Sequence, residues 1–253
     1  MLKSRWSIFL LPIATAAILI LAWDLGIKWA DVPAYLVPAP DTVLMSLKRG
    51  LIDGVLWPHV WITVLEILVG YASGCAAAFL LAAVVGEFQI VSRALYPIVV
   101  ALQSVPKVAL APLIIVWFGF ELQSKFIMVA LICFFPTFVS VVIGLKSYNQ
   151  NLVDLYRAFG ANRWQIFTKV KLPSATGPIF AGLEISMVLA LQGAVIAEFV
   201  ASRAGLGHMI ESSRVNFDVA LMFACVIILS VIGVVSTQSI KFIHRRVAFW
   251  EKK

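Results

Sequence analysis

The chain has 253 residues, a net charge of +7, 62% hydrophobic residues, only 13% charged residues and a mean hydropathy of +0.98. Water-soluble globular chains carry about a quarter charged residues, so this chain cannot cover a water-facing surface, and a soluble enzyme is excluded. The bases lie between apolar runs and at the C-terminus instead of forming one solvated patch, which excludes a nucleic-acid interface.

Crossing a bilayer core of about 30 Å takes roughly 20 apolar helical residues. Six stretches qualify: 8–23, 60–85, 91–118, 126–145, 179–200 and 219–239. The expected fold is therefore all-α, a polytopic membrane protein of six transmembrane helices forming a single domain over 1–253. The first span follows Lys3 and Arg5 and imitates a signal peptide. Its Ala14-Thr15-Ala16 falls inside the apolar run, so it reads as an uncleaved span. Residues 24–59 contain Pro33, Pro38, Pro40 and Pro58 and are expected to be external and partly extended.

The second span repeats small residues every fourth position, at Gly70, Gly74, Ala78, Ala82 and Gly86. That spacing stacks them on one helix face, where another backbone approaches closely, within or between subunits; ordinary membrane-helix composition is the alternative. The third span is too long for one simple helix and carries Pro97, Pro106 and Pro112. It reads as a broken helix whose freed carbonyls face protein or water. Gln103, Ser104 and Lys107 near the break, with Gln192 in the fifth span, are the candidates for a translocation pathway.

Between the fourth and fifth spans, residues 146–173 are polar and basic. Leu152, Leu155 and Phe159 recur at helical spacing, Gly160 breaks the pattern, and Trp164, Phe167 and Val170 mark a second amphipathic stretch. Two short helices joined at a glycine suit a docking elbow for a partner. A loop lying on lipid headgroups, its bases touching anionic lipid, suits the same pattern.

The acids Glu66, Glu184 and Glu198 lie within spans, where a charge costs at least about 2.5–3.5 kcal/mol. Such groups face the bundle interior, a water path or an interface; Glu184 and Glu198 stand near span ends, where snorkelling to the surface is a further, inexpensive alternative. Cys75, Cys133 and Cys225 all fall in apolar runs with no metal spacing, and read as small buried hydrophobes. With both ends cytoplasmic, thirteen of the 20 Lys and Arg fall inside and six outside, the asymmetry the positive-inside rule requires.

At the elbow, Asp154-Leu155-Tyr156-Arg157-Ala158-Phe159-Gly160, followed by Val170-Lys171-Leu172-Pro173, resembles the EAA loop of ABC-importer permease subunits. Tyr156 departs from it, standing where the family has Ala. Residues 104–119, Ala197-Glu198-Phe199-Val200-Ala201 with Gly205-Leu206-Gly207, and Val37-Pro38-Ala39-Pro40 are similar to the nitrate/sulfonate/taurine branch. The resemblance implies a type I, binding-protein-dependent permease of the bacterial inner membrane. It implies two permease copies forming a homodimeric pathway, two ATPase subunits below and an external solute-binding protein above. The solute would be a sulfonate-, nitrate- or taurine-like anion or a vitamin precursor. Asp154, Leu155, Arg157, Ala158, Phe159, Gly160, Leu172 and Pro173 are then the ATPase-coupling residues. The chain carries no G-x-x-x-x-G-K-[ST] phosphate loop, so ATP and Mg would be bound by the ATPase partner. The rivals are a secondary transporter using the intramembrane acids as ion sites, and a membrane enzyme or electron carrier built on the scattered His59, His208 and His244.

Overall fold

In the computed structural model, residues 5–33 and 35–251 are described. Lys3, Lys252 and Lys253, which enter the charge asymmetry, lie outside the described residues. In chain order the helices are α1 (Arg5–Ala30), α2 (Pro40–Ile52), α3 (Trp57–Glu87), α4 (Gln89–Gln103), α5 (Ala111–Phe118), α6 (Leu122–Lys146), α7 (Gln150–Ala158), α8 (Arg163–Ile166), α9 (Leu172–Ser174), α10 (Thr176–Ala201), α11 (Leu206–Val215) and α12 (Val219–Val247). Five of them are long and apolar enough to cross a membrane, and α4 with the segment Lys107–Phe118 makes a sixth, bent by 88°.

The core is α6, flanked by α3 and α10. The small-residue stripe of α3 explains the first contact. A β-carbon on Gly74 would lie 2.4 Å from the Ala130 carbonyl, and one on Gly70 would lie 2.5 Å from Val129. The stripe therefore seats α6 of the same chain at backbone distance, with Ala78 and Ala82 fully buried behind it. Lipid tails are as apolar as leucine, so close van der Waals packing and interhelical hydrogen bonds hold such helices together. Both are present. Thr137 of α6 stands 2.7 Å from Ser186 of α10 and 3.3 Å from Cys75 of α3, and the Tyr71 hydroxyl donates to the Leu183 carbonyl at 3.1 Å. All three cysteines are buried and unpaired to one another.

Within residues 24–59, expected to be external and partly extended, 40–52 form α2, because Pro40 occupies the first turn, where a missing N–H costs nothing. The long third span is broken as expected, and it breaks at 104–106 alone. Pro97 sits inside an unbroken α4, Pro112 opens α5, and only Pro106 stands at the discontinuity. Helix α1 touches the rest lightly, through α2 and a 5.5 Å stack of Trp23 on Phe223. Its apolar side chains, Leu11, Ile13, Ile18 and Leu19 among them, are exposed.

Candidate functional sites: an elbow at one end, a charged clamp at the other

The elbow is braced from within. Asn149 caps α7 by accepting from the Asn151 N–H at 2.9 Å. Asn162 and Gln165 form a reciprocal capping box that starts α8. Val153, Ile166 and Val170 are buried against one another, with Tyr148, Tyr156 and Ala161 around them. Gly160 adopts φ +75°, a left-handed turn with open space where a side chain would go. The Tyr156 bulk thus packs inside the elbow. Leu155 and Ala158 point outward, and Phe159 is 83% exposed. Asp154 and Arg157 pair on that outer surface at 3.2 Å. From Arg163 the chain runs helically through a π-turn at Phe167–Lys171 and α9 into the vicinity of α10. Leu172 packs against the main core, so the elbow is tied to the bundle. Lys171 adds an ion pair to Glu87 of α3 at 2.6 Å.

The break between α4 and α5 brings Gln103 and Lys107 together. The ammonium group donates to the Gln103 carbonyl at 2.7 Å and lies 5.0 Å from the centre of the Phe135 ring. A cation at a helix C-terminus satisfies a freed carbonyl. Gln103 and Ser104 are exposed beside it. Gln192 is exposed on α10, in line with Ile185 and Val188. No hydrogen bond or ion pair among the described residues joins Gln192 to the break.

The opposite end of the bundle holds two of the intramembrane acids. Glu198 is 1% exposed and Glu66 is fully buried, so both face the bundle interior, and Glu198 does not snorkel. Glu198 accepts from the Thr63 hydroxyl at 2.6 Å and from the Gly207 N–H. Thr63 in turn accepts from the Leu206 N–H at 2.8 Å, and His59 Nδ1 accepts from the Gly205 N–H at 3.0 Å. These contacts satisfy the first N–H groups of α11, which have no partner inside their own helix. Gly205 and Gly207 are required there, since a β-carbon on either would meet the Glu198 carboxylate within 2.8 Å. Lys125, one residue before the predicted span 126–145, is buried and lies 3.6 Å from Glu66. The rings of His59 and His208 stack at 6.3 Å, so two of the three scattered histidines are neighbours. Glu184 stands apart, half-buried and 4.0 Å from Lys241. Among the described residues no group of His, Cys, Asp or Glu is arranged to hold a metal.

The described residues thus form a bundle of membrane spans with a braced elbow at one end and a folded loop locked to a buried carboxylate at the other. The chain is 34% identical over 249 residues to the riboflavin transport system permease protein RibX of Chloroflexus aurantiacus, covering 98% of this chain and 92% of that one. It is 32% identical to the formylaminopyrimidine transport permease protein ThiX of Halalkalibacterium halodurans, covering 93% of each. The fold matches a chain of the inward-facing MetNI methionine ABC transporter with a TM-score of 0.66 at 19% identity, over 78% of this chain and 96% of that one. Residues 70–249 match the family described as the binding-protein-dependent transport system inner membrane component. The chain therefore belongs to that family, and it is a multi-pass transmembrane permease subunit of an ABC importer.

Proposed function

We propose that the outer face of α7 is the surface through which a separate nucleotide-hydrolysing subunit drives this permease. The observation that carries the reading is a solvent-exposed apolar face on a rigidly braced elbow. Leu155, Ala158 and Phe159 lie outward while Val153, Ile166 and Val170 fix the helix from behind. Exposing Phe159 to water is unfavourable unless a partner covers it. In this reading the apolar side chains fill a groove on the ATPase and Asp154 and Arg157 exchange charges with it. Gly160 makes the turn, while Leu172 and Pro173 carry motion into α10. ATP and Mg are held by the ATPase, and no step of hydrolysis occurs on this chain.

Two copies of the chain form the pathway, each presenting its exposed α4–α5 break. Gln103, Ser104, Lys107 and Gln192 then line the route. An external binding protein delivers the solute at the end that carries α11. The charge asymmetry supports an elbow and both termini on the cytoplasmic side. Closure of the ATPase dimer moves the two elbows, and the rigid α3–α6–α10 core passes that movement to the break, opening the pathway alternately to each side. The names of the two relatives support a small heteroaromatic solute, riboflavin- or pyrimidine-like, with a sulfonate- or taurine-like anion as the rival class. A thermal-shift screen of the cognate binding protein separates them.

The test of the coupling surface is Gly160→Asp in the complete importer, with membrane insertion verified. The expected result is loss of solute uptake and of solute-stimulated ATP hydrolysis, with the permease still present in the membrane. Normal uptake and stimulation would remove the elbow from the mechanism.

A further inference from the structure

Two adjoining cavities at the elbow end are not used by the reading above. One, of about 680 Å³, opens between the ends of α3, α4 and α6 and the elbow. Its lining includes four cations, Lys146, Arg157, Arg163 and Lys171, against one acid, Glu87. Lys171 is neutralised by Glu87 at 2.6 Å, and Arg157 leans out to Asp154. Lys146 and Arg163 have no carboxylate partner among the described residues. Lys146 is nonetheless held in place: its ammonium donates to the Ser92 hydroxyl at 2.8 Å and lies 5.4 Å from the centre of the Tyr96 ring. The Ser92 hydroxyl accepts that bond, so its own proton remains available to a further acceptor.

The second cavity, of about 390 Å³, is apolar. Ala83, Val84, Phe88, Trp164 and Phe167 line it, and it shares Glu87 and Arg163 with the first. Trp164 is 71% exposed and stacks on Phe167 at 5.8 Å. Both cavities lie where α3, a helix long and apolar enough to cross a membrane, ends and α4 begins; Trp side chains anchor where a membrane meets water. Leu155 and Phe159 line neither cavity.

We propose that this pair of cavities is a binding site for one anionic phospholipid. The phosphate-bearing headgroup sits in the basic cleft, on Lys146, Arg163 and the Ser92 hydroxyl, and an acyl chain follows the Ala83–Phe88–Trp164–Phe167 groove. Basic pockets between spans recognise anionic headgroups in this way. A soluble anion would use the cleft but has no use for the groove that continues from it. The two halves of the elbow then divide the alternatives left open by the sequence: α7 turns to a protein, and α8 with the π-turn turns to lipid. The bound lipid ties the end of α6 to the elbow.

The test uses the full-length permease purified in detergent and native mass spectrometry, titrating phosphatidylglycerol against phosphatidylcholine with the same acyl chains. The expected result is selective retention of phosphatidylglycerol. The double variant Lys146→Gln/Arg163→Gln should weaken that retention on the order of tenfold. Arg245→Gln/Arg246→Gln, which removes the same charge from the end of α12, should leave it unchanged. Equal retention of both lipids, or equal loss in both double variants, overturns the site. So does displacement of phosphatidylglycerol by millimolar inorganic phosphate, which marks a soluble-anion cleft. Should the first double variant fail to fold, Trp164→Ser tests the groove alone; unchanged retention of phosphatidylglycerol in that variant overturns the proposal.

Discussion

The two ends of the bundle solve opposite problems. At the elbow, apolar side chains face outward, and the ion pair of Asp154 and Arg157 lies on the surface. At the other end the charges are inside: Glu66, Lys125 and Glu198 are buried where α3, α6 and α10 meet the loop that precedes α11. The first arrangement leaves binding energy for a partner. The second uses its hydrogen bonds within the chain and fixes a loop that would otherwise be free. Glu66 and Glu87 mark the two ends on α3, about 30 Å apart at 1.5 Å per residue. The difference teaches that an outward-facing apolar surface and an internally bonded, charged loop can stand at opposite ends of the same three packed helices.

Substitutions at the charged end should cost stability, and those at the elbow should cost function with little loss of stability. The largest effect is expected for Glu198→Ala, which strips the acceptor from Thr63 and from the Gly207 N–H. Leaving these two buried donors without an acceptor costs about 1–3 kcal/mol each. Thermal melting in detergent should show that loss. Gly74→Val follows, since its β-carbon would enter the Ala130 backbone; overpacking of this kind costs about 1–3 kcal/mol. Gly160→Ala is expected to cost about 1 kcal/mol from its left-handed backbone alone, because no atom lies near the new methyl group. The smallest effect on stability is expected for Asp154→Asn. An exposed ion pair contributes about 0–1 kcal/mol, so melting should hardly change, while solute-stimulated ATP hydrolysis should fall. If Asp154→Asn instead melted as early as Glu198→Ala, the contrast between the two ends would be broken.

The elbow was legible because its signals are local. Leu152, Leu155 and Phe159 lie within one short stretch and Gly160 closes it, so spacing alone gives a helix and a turn. The broken third span was legible for the same reason, although the sequence did not tell which proline breaks it. Pro97 continues α4, and only Pro106 interrupts it. The clamp was not legible. Its partners are more than 130 residues apart in the case of Thr63 and Glu198, separated by 135 positions. Glu198 sits near the end of an apolar run, where snorkelling is inexpensive, and only the folded loop at Gly205–Gly207 makes burial the better outcome. The one available signal was a glycine pair nine residues or fewer after an acid at a span end, which leaves backbone N–H groups free to meet it. Helix α2 was missed because four prolines in 24–59 outweighed the fact that a proline at a helix start is favourable.

The claim on which the account depends is that the exposed face of α7 is gripped by an ATPase on the cytoplasmic side. Cys75, Cys133 and Cys225 are buried, so a Phe159→Cys variant with those three replaced by Ser or Ala offers a single exposed thiol. Crosslinking it in native membranes to the co-expressed ATPase should trap a permease–ATPase adduct whose yield changes when ATP is added, while a Val215→Cys variant at the other end traps none. A Phe159→Cys thiol that reacts only with reagents added from outside the cell, or that never captures the ATPase, would contradict the account.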